Sequence, residues 1–421
     1  MAVNSSALLL KPYLFKLKDW LVYVLVLIFL FGVYGNYKIE VNGMVLPVVL
    51  CLLSAPLIML LQLNSSMVVR YRFLFLYLFF AFLSVFISYG DSSFYVDKLK
   101  GFVYLVISIS FSYLIFRVLL SWDIKRIERL FTIILALLIV GLFLEIYTSF
   151  KAVSDQFREV VFASGMYGAD DADLNIGGRV RPKLFTAEPS HVAKFALLCV
   201  LILFFIKEKK DVFQTLFVTF VLLFLTRSYI MLAVFPIVFA SQIVVSKRVL
   251  SALLMLLLTI IALFILIYTN PYLSERVASI ASSNDGSVFI RLISPVYIAY
   301  EVFNLNPLFG VGISGTEVIT DVISKVLSDY GVDTQRIAGK EHLMIYNAMW
   351  LHWIYFGVIG GIIQIAVMYL FLIDMKSRSI LFFLFVILIV SNLMGGINGM
   401  RFWFFFFMLL LPFVHKGRQW T

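Results

Sequence analysis

The chain has 421 residues, 62% of them hydrophobic, 17% aromatic and only 14% charged, with a formal net charge of +10. So few polar groups cannot cover a water-soluble fold of this length, which excludes the soluble classes and puts the chain in a membrane. The two cysteines, Cys51 and Cys199, lie inside apolar runs, so they read as packing residues and offer neither a disulfide framework nor a metal cluster.

In chain order, Lys11, Lys16 and Lys18 precede an apolar run that starts at Trp20. No small-residue cleavage site follows, so this is expected to be an uncleaved first anchor. A hydrocarbon core roughly 30 Å thick needs about 20 apolar residues per helical crossing. Twelve segments qualify: Trp20 to Asn36, Met44 to Leu63, Tyr71 to Tyr89, Gly101 to Leu120, Leu130 to Thr148, His191 to Ile206, Val212 to Thr226, Tyr229 to Val245, Val249 to Tyr268, Leu343 to Ile373, Ile380 to Met394 and Arg401 to Val414. The expected fold is an all-α polytopic membrane bundle forming one domain over the whole chain, with two long loops, Ser149 to Ser190 and Thr269 to His342.

Charge fixes the expected orientation. Eighteen lysines and arginines, among them Arg70, Arg72, Arg117, Lys125, Arg126, Arg129, Lys207, Lys247, Lys376 and Lys416, fall in one set of alternating segments. The short loops of the other set hold only Lys38, Lys98, Lys100, Arg227 and Arg401. The positive-inside rule then predicts cytoplasmic termini, with both long loops on the outer face. The positive balance is thus explained by topology and anionic headgroups, without nucleic acid.

The first long loop ends in Arg179-Val-Arg181-Pro-Lys-Leu-Phe-Thr-Ala-Glu188-Pro189-Ser190-His191, a cluster of cations around one carboxylate. Cations at the mouth of a membrane bundle are costly unless they meet an anion, and a lipid-linked phosphate or diphosphate is the anion at hand. Pro189 suits the first turn of a helix, which sets Glu188 at or beside the N-cap. There it either caps the helix, serves as a general base, or orients Arg179 or Arg181. His191 and Lys194, three residues apart, share a helix face, and Lys194 is expected to snorkel outward or reach a phosphate. Arg227 lies in a tight turn at the outer mouth, where it either snorkels to headgroups or pairs with a substrate.

The second long loop carries a helical stretch, Ser287 to Asn304, with Arg291 and Pro295, then Asn306-Pro-Leu-Phe-Gly310-Val-Gly312. Thr316 to Tyr330 has apolar residues at helical spacing and is expected to be an amphipathic helix, on the membrane surface or across the bundle as a lid. Asp170-Asp171-Ala172-Asp173 has an Asp-x-Asp spacing, but on the outer face, where nucleotide sugars are not supplied, so no metal site and no cofactor is expected. Intramembrane charge is limited to Glu145 and Lys194, too little for the row of charges that proton-coupled pumps use.

Four of these segments, in this order, resemble bacterial O-antigen polymerases of the Wzy type and the wider O-antigen ligase superfamily. They are Arg181 to Ser190; the Leu225 to Tyr229 turn; Phe289-Ile-Arg291 with Asn306 to Gly312; and Tyr346-Asn347 followed after ten residues by Gly357-Val-Ile-Gly360. The ligase histidine falls on Tyr346 here, and His342 stands one turn earlier, a departure that argues against a ligase and leaves the identity of any proton-transfer residue open.

The resemblance implies a GT-C-like glycosyltransferase of the bacterial inner membrane. It would join undecaprenyl-diphosphate-linked O-antigen repeat units on the periplasmic face. Donor and acceptor would both be lipid-linked oligosaccharides, with membrane lipid and a chain-length regulator as partners. On this reading Glu188, Arg181, Arg227 and Arg291 are catalytic, and Arg179, His191, Lys194, His342, Tyr346 and Asn347 bind substrate. The competing expectations are a ligase that transfers glycan to the lipid A core and a flippase for the same lipid-linked oligosaccharide.

Overall fold

The computed structural model describes residues 5–41, 44–62, 71–162, 181–207, 211–244, 249–269, 274–275, 289–330, 339, 341, 344–377 and 379–419. Arg179, His342 and the Asp170 to Asp173 run lie outside the described residues.

The fold is a helical bundle. Its elements are α1 (Ser5–Gly35), α2 (Val49–Gln62), α3 (Arg72–Ile87), α4 (Tyr95–Leu120), α5 (Ile124–Tyr147), α6 (Phe150–Val161), α7 (Pro189–Ile206), α8 (Val212–Thr226), α9 (Val234–Val244), α10 (Val249–Thr269), α11 (Ser294–Leu305), α12 (Thr320–Asp329), α13 (Ala348–Asp374), α14 (Ile380–Ser391) and α15 (Met400–Gln419). A helix occupies each of the twelve apolar segments. Among the described residues, five helical stretches, 17–35, 92–120, 124–147, 189–206 and 348–374, are long and apolar enough to cross a membrane. Six further apolar helices among them are shorter, at 10 to 17 residues.

The bundle turns apolar side chains outward as well as inward. Leu60, Phe75, Leu137, Phe213 and Leu381 all stand exposed. That is the surface of a protein solvated by lipid.

One departure from the all-helical expectation is a hairpin of two strands, Lys38–Val41 and Met44–Pro47, antiparallel in the register Lys38↔Pro47 to Val41↔Met44. It takes up the first residues of the expected second span. The segment is rich in Val, Leu and Ile, which suit a strand as well as a helix, so hydropathy alone does not separate the two.

At the centre sit α7 and α15. In α7 every residue but His191 is buried. The run Trp403 to Leu411 of α15 is buried throughout and packs against α4 and α7. An apolar helix surrounded on all sides has no face to show solvent, which is why neither carries a polar stripe.

Helix α13 is broken at Gly357 (φ 61°, ψ −165°). The backbone groups freed there are taken up by the Asn306 to Gly312 segment. Val311 and Gly312 donate to the carbonyls of Ile354 and Tyr355, both at 2.9 Å. Val358 and Ile359 donate to Pro307 and Leu308 at 2.8 and 3.1 Å. Irregular backbone inside a membrane bundle is tolerable only when satisfied in this way.

The amphipathic stretch of the second loop forms a 3₁₀ turn, Gly315–Ile319, leading into α12. Ile323, Val326 and Leu327 are buried, and the helix packs on α11.

Helix α6 buries Ser154 and Arg158. Phe157 packs on Tyr37 and Phe185, while Val153, Gln156, Glu159 and Val160 are exposed.

Candidate functional site

The segment from Arg181 to Glu188 leads into α7 through Pro189 at its first position. Glu188 is the N-cap residue, with extended backbone (φ −138°), yet its side chain makes no capping bond. The carboxylate instead accepts from the Ser190 hydroxyl at 3.0 Å and lies 3.9 Å from the Arg291 guanidinium. Of the roles the sequence left open, capping is therefore the one the geometry does not support.

Arg291 comes from a single turn of π-helix, Phe289–Ile293, that precedes α11. Besides Glu188 it donates to the Tyr229 hydroxyl at 3.2 Å. Tyr229 stands two residues after Arg227, so the turn between α8 and α9 touches the same group. Arg227 itself closes α8 in a left-handed conformation (φ 49°) and is 7% exposed.

Lys194 does not snorkel. It is 8% exposed and faces the interior, within electrostatic reach of Arg291, Arg401 and Glu188. The reason lies in its helix: α7 is enclosed along its length, so there is no route to headgroups from its second turn.

Asn347 is fully buried and its amide is engaged with protein. It caps α13 by accepting from the Trp350 N–H at 3.2 Å, and it donates to the Arg291 carbonyl at 2.9 Å and to the Asn392 side chain at 3.1 Å. Through that carbonyl it holds the backbone of Arg291.

Tyr346, 41% exposed, lies within electrostatic reach of Glu188 and Arg291. Loss of solvation on its inner side raises the phenol above its ordinary value, the negative Glu188 adds to this, and Arg291 opposes it.

Two cations at the site stand apart from the motif residues. Arg401, in the first turn of α15, donates to the Val33 and Tyr34 carbonyls at 3.1 and 3.0 Å and reaches Glu188 and Lys194 electrostatically. Those carbonyls are in the last turn of α1, the negative end of its dipole. Lys151, on α6, lines one cavity of about 440 Å³ with Glu145, Ile146, Tyr147, Arg181, Pro182 and Arg227. Arg181 also interacts with Arg291. Nothing in the local pattern marks Arg401, which reads as an ordinary loop arginine until α1 is set beside it.

The basic cavity adjoins a second, apolar one. It has a volume of about 570 Å³ and is lined by Ile139, Val140, Phe143, Tyr147, Phe220, Val221, Phe224 and Leu225 of α5 and α8. Tyr147 belongs to both walls. A cation-lined chamber with a hydrocarbon-lined groove on the other side of Tyr147 matches an amphiphile with an anionic head.

The structure thus joins Glu188, Arg291, Lys194 and Tyr346 in one cluster, with His191 on the first turn of the same α7, and joins Arg181 and Arg227 in the adjacent cavity. Among the described residues no group of three or more His, Cys, Asp or Glu side chains could hold a metal ion. No protein-family model matches the chain, and comparison with curated proteins gives no match either.

Proposed function

We propose that the chain is a lipid-diphosphate-dependent glycosyltransferase of the O-antigen polymerase type, joining undecaprenyl-diphosphate-linked repeat units on the periplasmic face of the inner membrane. The orientation follows the charge asymmetry of the loops, with both termini cytoplasmic and a GT-C-like bundle of about twelve spans.

The observation that carries this reading is the imbalance of charge around Glu188. Lys194, Arg291 and Arg401 lie in one electrostatic group in which Glu188 is the one carboxylate among the described residues. Such a surplus of cations in a low-dielectric setting is costly without an anion of matching charge, and a diphosphate supplies one. The groove along α5 and α8 gives the polyprenyl chain a place beside it.

In the reaction, the anomeric C–O bond of the donor breaks and its electron pair goes to the diphosphate oxygen. The acceptor hydroxyl oxygen forms the new C–O bond from the opposite face and inverts the anomeric carbon. Its proton passes to Glu188. Negative charge builds on the leaving diphosphate, and guanidinium groups fixed by Tyr229, Asn347 and the end of α1 stabilise it without having to reorganise.

Purified protein given a lipid-linked repeat unit tests this. A ladder of lengthening glycans is the expected product. Transfer onto lipid A core instead means a ligase, and movement of the lipid across a bilayer with no new glycosidic bond means a flippase; either outcome overturns the polymerase.

A further inference from the structure

Glu145 is a carboxylate within the membrane span of α5, buried to 4% exposure. The reaction above makes no use of it. Both its oxygens are nevertheless engaged, with Oε1 accepting from the Lys183 N–H at 3.2 Å and Oε2 from the Leu184 N–H at 2.6 Å. These bonds land on an unusual stretch of backbone. Leu184 (φ 37°) and Phe185 (φ 64°) are consecutive non-glycine residues in the left-handed region. L-residues avoid that region, and a pair of them persists only where the surroundings over-determine it.

The surroundings here come from three helices. The Ser154 hydroxyl of α6 accepts from the Phe185 N–H at 3.1 Å and also bonds the Glu145 carboxylate. Arg158 of α6, 1% exposed, donates through Nε to the Thr186 carbonyl at 3.0 Å. The Tyr34 hydroxyl of α1 donates to the Leu184 carbonyl at 2.6 Å. The Thr186 hydroxyl interacts with the carbonyls of Lys183 and Glu188 at 2.6 and 2.8 Å. Arg181 precedes this clamped turn by two residues and Glu188 follows it by two.

We infer that Glu145 is a positioning residue, whose carboxylate holds the left-handed turn at Leu184 and Phe185 and thereby sets Arg181 and Glu188 relative to each other. Its place in the wall of the Arg181, Arg227 and Lys151 cavity makes a purely electrostatic role the alternative. The two differ in what they demand of the backbone. A counter-charge needs no particular amide geometry, whereas a clamp on two N–H groups fails when one acceptor becomes a donor. Glu145→Gln makes that change at constant shape.

The consequence for turnover rests on the proposed glycosyltransferase; the clamp itself does not. Full-length protein in nanodiscs is therefore examined by hydrogen exchange over residues 181–188, with 192–206 as the internal reference, and by turnover of a lipid-linked repeat unit. Glu145→Gln is expected to speed exchange of the Lys183 and Leu184 amides about tenfold or more with the reference unchanged. It should lower kcat by about 10²-fold with a much smaller change in KM, because displaced catalytic groups cost turnover before affinity. Glu145→Asp, which keeps a carboxylate, should recover part of both.

Unchanged amide protection in Glu145→Gln overturns the inference, and so does lost protection with full turnover. If that variant does not fold, Glu145→Asp keeps the charge while drawing the carboxylate back from the two amides, and full wild-type protection there overturns the inference equally. Wild-type protein that forms no glycosidic bond defeats the proposed reaction instead and leaves the clamp to be judged by exchange alone.

Discussion

Gly310 and Gly357 touch backbone to backbone. A Cβ on Gly310 would lie 2.3 Å from the Ile354 carbonyl oxygen, and one on Gly357 would lie 2.6 Å from the Gly310 nitrogen. Both have positive φ, so a side chain meets strain as well as a clash. The Asn306 to Gly312 segment is thereby keyed into the break in α13. Gly310→Ala or Gly357→Ala is expected to destabilise the protein by about 2 kcal/mol or more, read as a lowered unfolding midpoint in detergent. Ala at Gly339, whose Cβ would meet nothing within 4 Å, strains only its own backbone and should cost less.

The pair Glu188 and Arg291 carries the proposed chemistry, and the two substitutions should fail differently. Glu188→Gln removes the proton acceptor and should lower turnover by about 10²- to 10⁴-fold while the lipid diphosphate still binds. Arg291→Ala should lower turnover by about 10²-fold or more. Arg291→Lys is expected to rescue it poorly, because an ammonium cannot meet Glu188, Tyr229 and a diphosphate from one planar fork. Chain growth measured on gels, alongside binding of a polyprenyl diphosphate, separates the two effects.

Lys194 sits with like charges, so its removal should help the empty protein and harm the loaded one. Lys194→Met keeps the length of the side chain while relieving repulsion from Arg291 and Arg401. The empty protein is expected to unfold at the same temperature or higher, with a gain of about 1 kcal/mol. Stabilisation by added polyprenyl diphosphate should shrink in the same variant. A variant less stable when empty would mean that Lys194 is a packing residue.

What the sequence makes legible follows from the range of the forces concerned. Apolar runs announce helices because each residue contributes independently, and the Glu188-Pro189 start of α7 is visible because capping chemistry is local. The roles of Arg401 and Asn347 are not visible, since each is defined by carbonyls contributed from elsewhere in the chain, at Val33, Tyr34 and Arg291. Lys98 is a further case. It reads as an outer-loop lysine, yet it is wholly buried at the start of α4 and donates to the Ser88 hydroxyl and the Tyr89 carbonyl, both at 2.9 Å. In helix α6 the burial of Arg158 and Ser154 is not visible either, since their partners, Thr186 and Phe185, lie in a separate segment. The hairpin at residues 38–47 is hidden by a hydropathy that suits either structure.

Asn347 should act on activity through Arg291. Asn347→Ala leaves the Arg291 carbonyl without its side-chain donor and uncaps α13, and is expected to cost about 1 to 3 kcal/mol of stability. Asn347→Asp keeps the cap, because a carboxylate oxygen still accepts from the Trp350 N–H, but it can no longer donate to the Arg291 carbonyl or to Asn392. The aspartate variant should therefore lose turnover although its cap is intact, and it should lose stability as well, because a fully buried carboxylate then faces two acceptors. Full turnover in the aspartate variant would assign Asn347 to the cap alone.

Tyr346 lies within electrostatic reach of Glu188 and Arg291, and its chemistry limits what it can do there. Its phenol is raised above the ordinary tyrosine value of 10.0, first by loss of solvation and then by the charge of Glu188. Across neutral pH it is protonated, so it can donate a hydrogen bond to a sugar or phosphate oxygen but cannot take a proton from an acceptor hydroxyl. Tyr346→Phe is accordingly expected to lower turnover by about tenfold, the value of one hydrogen bond to a charged group, without moving either limb of the pH–rate profile between about pH 6 and pH 9. Tyr346→His puts a group with an ordinary pKa of about 6.5 in the same place and should add a limb in that range if the side chain reaches the reacting atoms. A pH profile of chain growth for the three proteins decides the matter. A shift of the acid limb in Tyr346→Phe would make the phenol part of the proton path and displace Glu188 from that role.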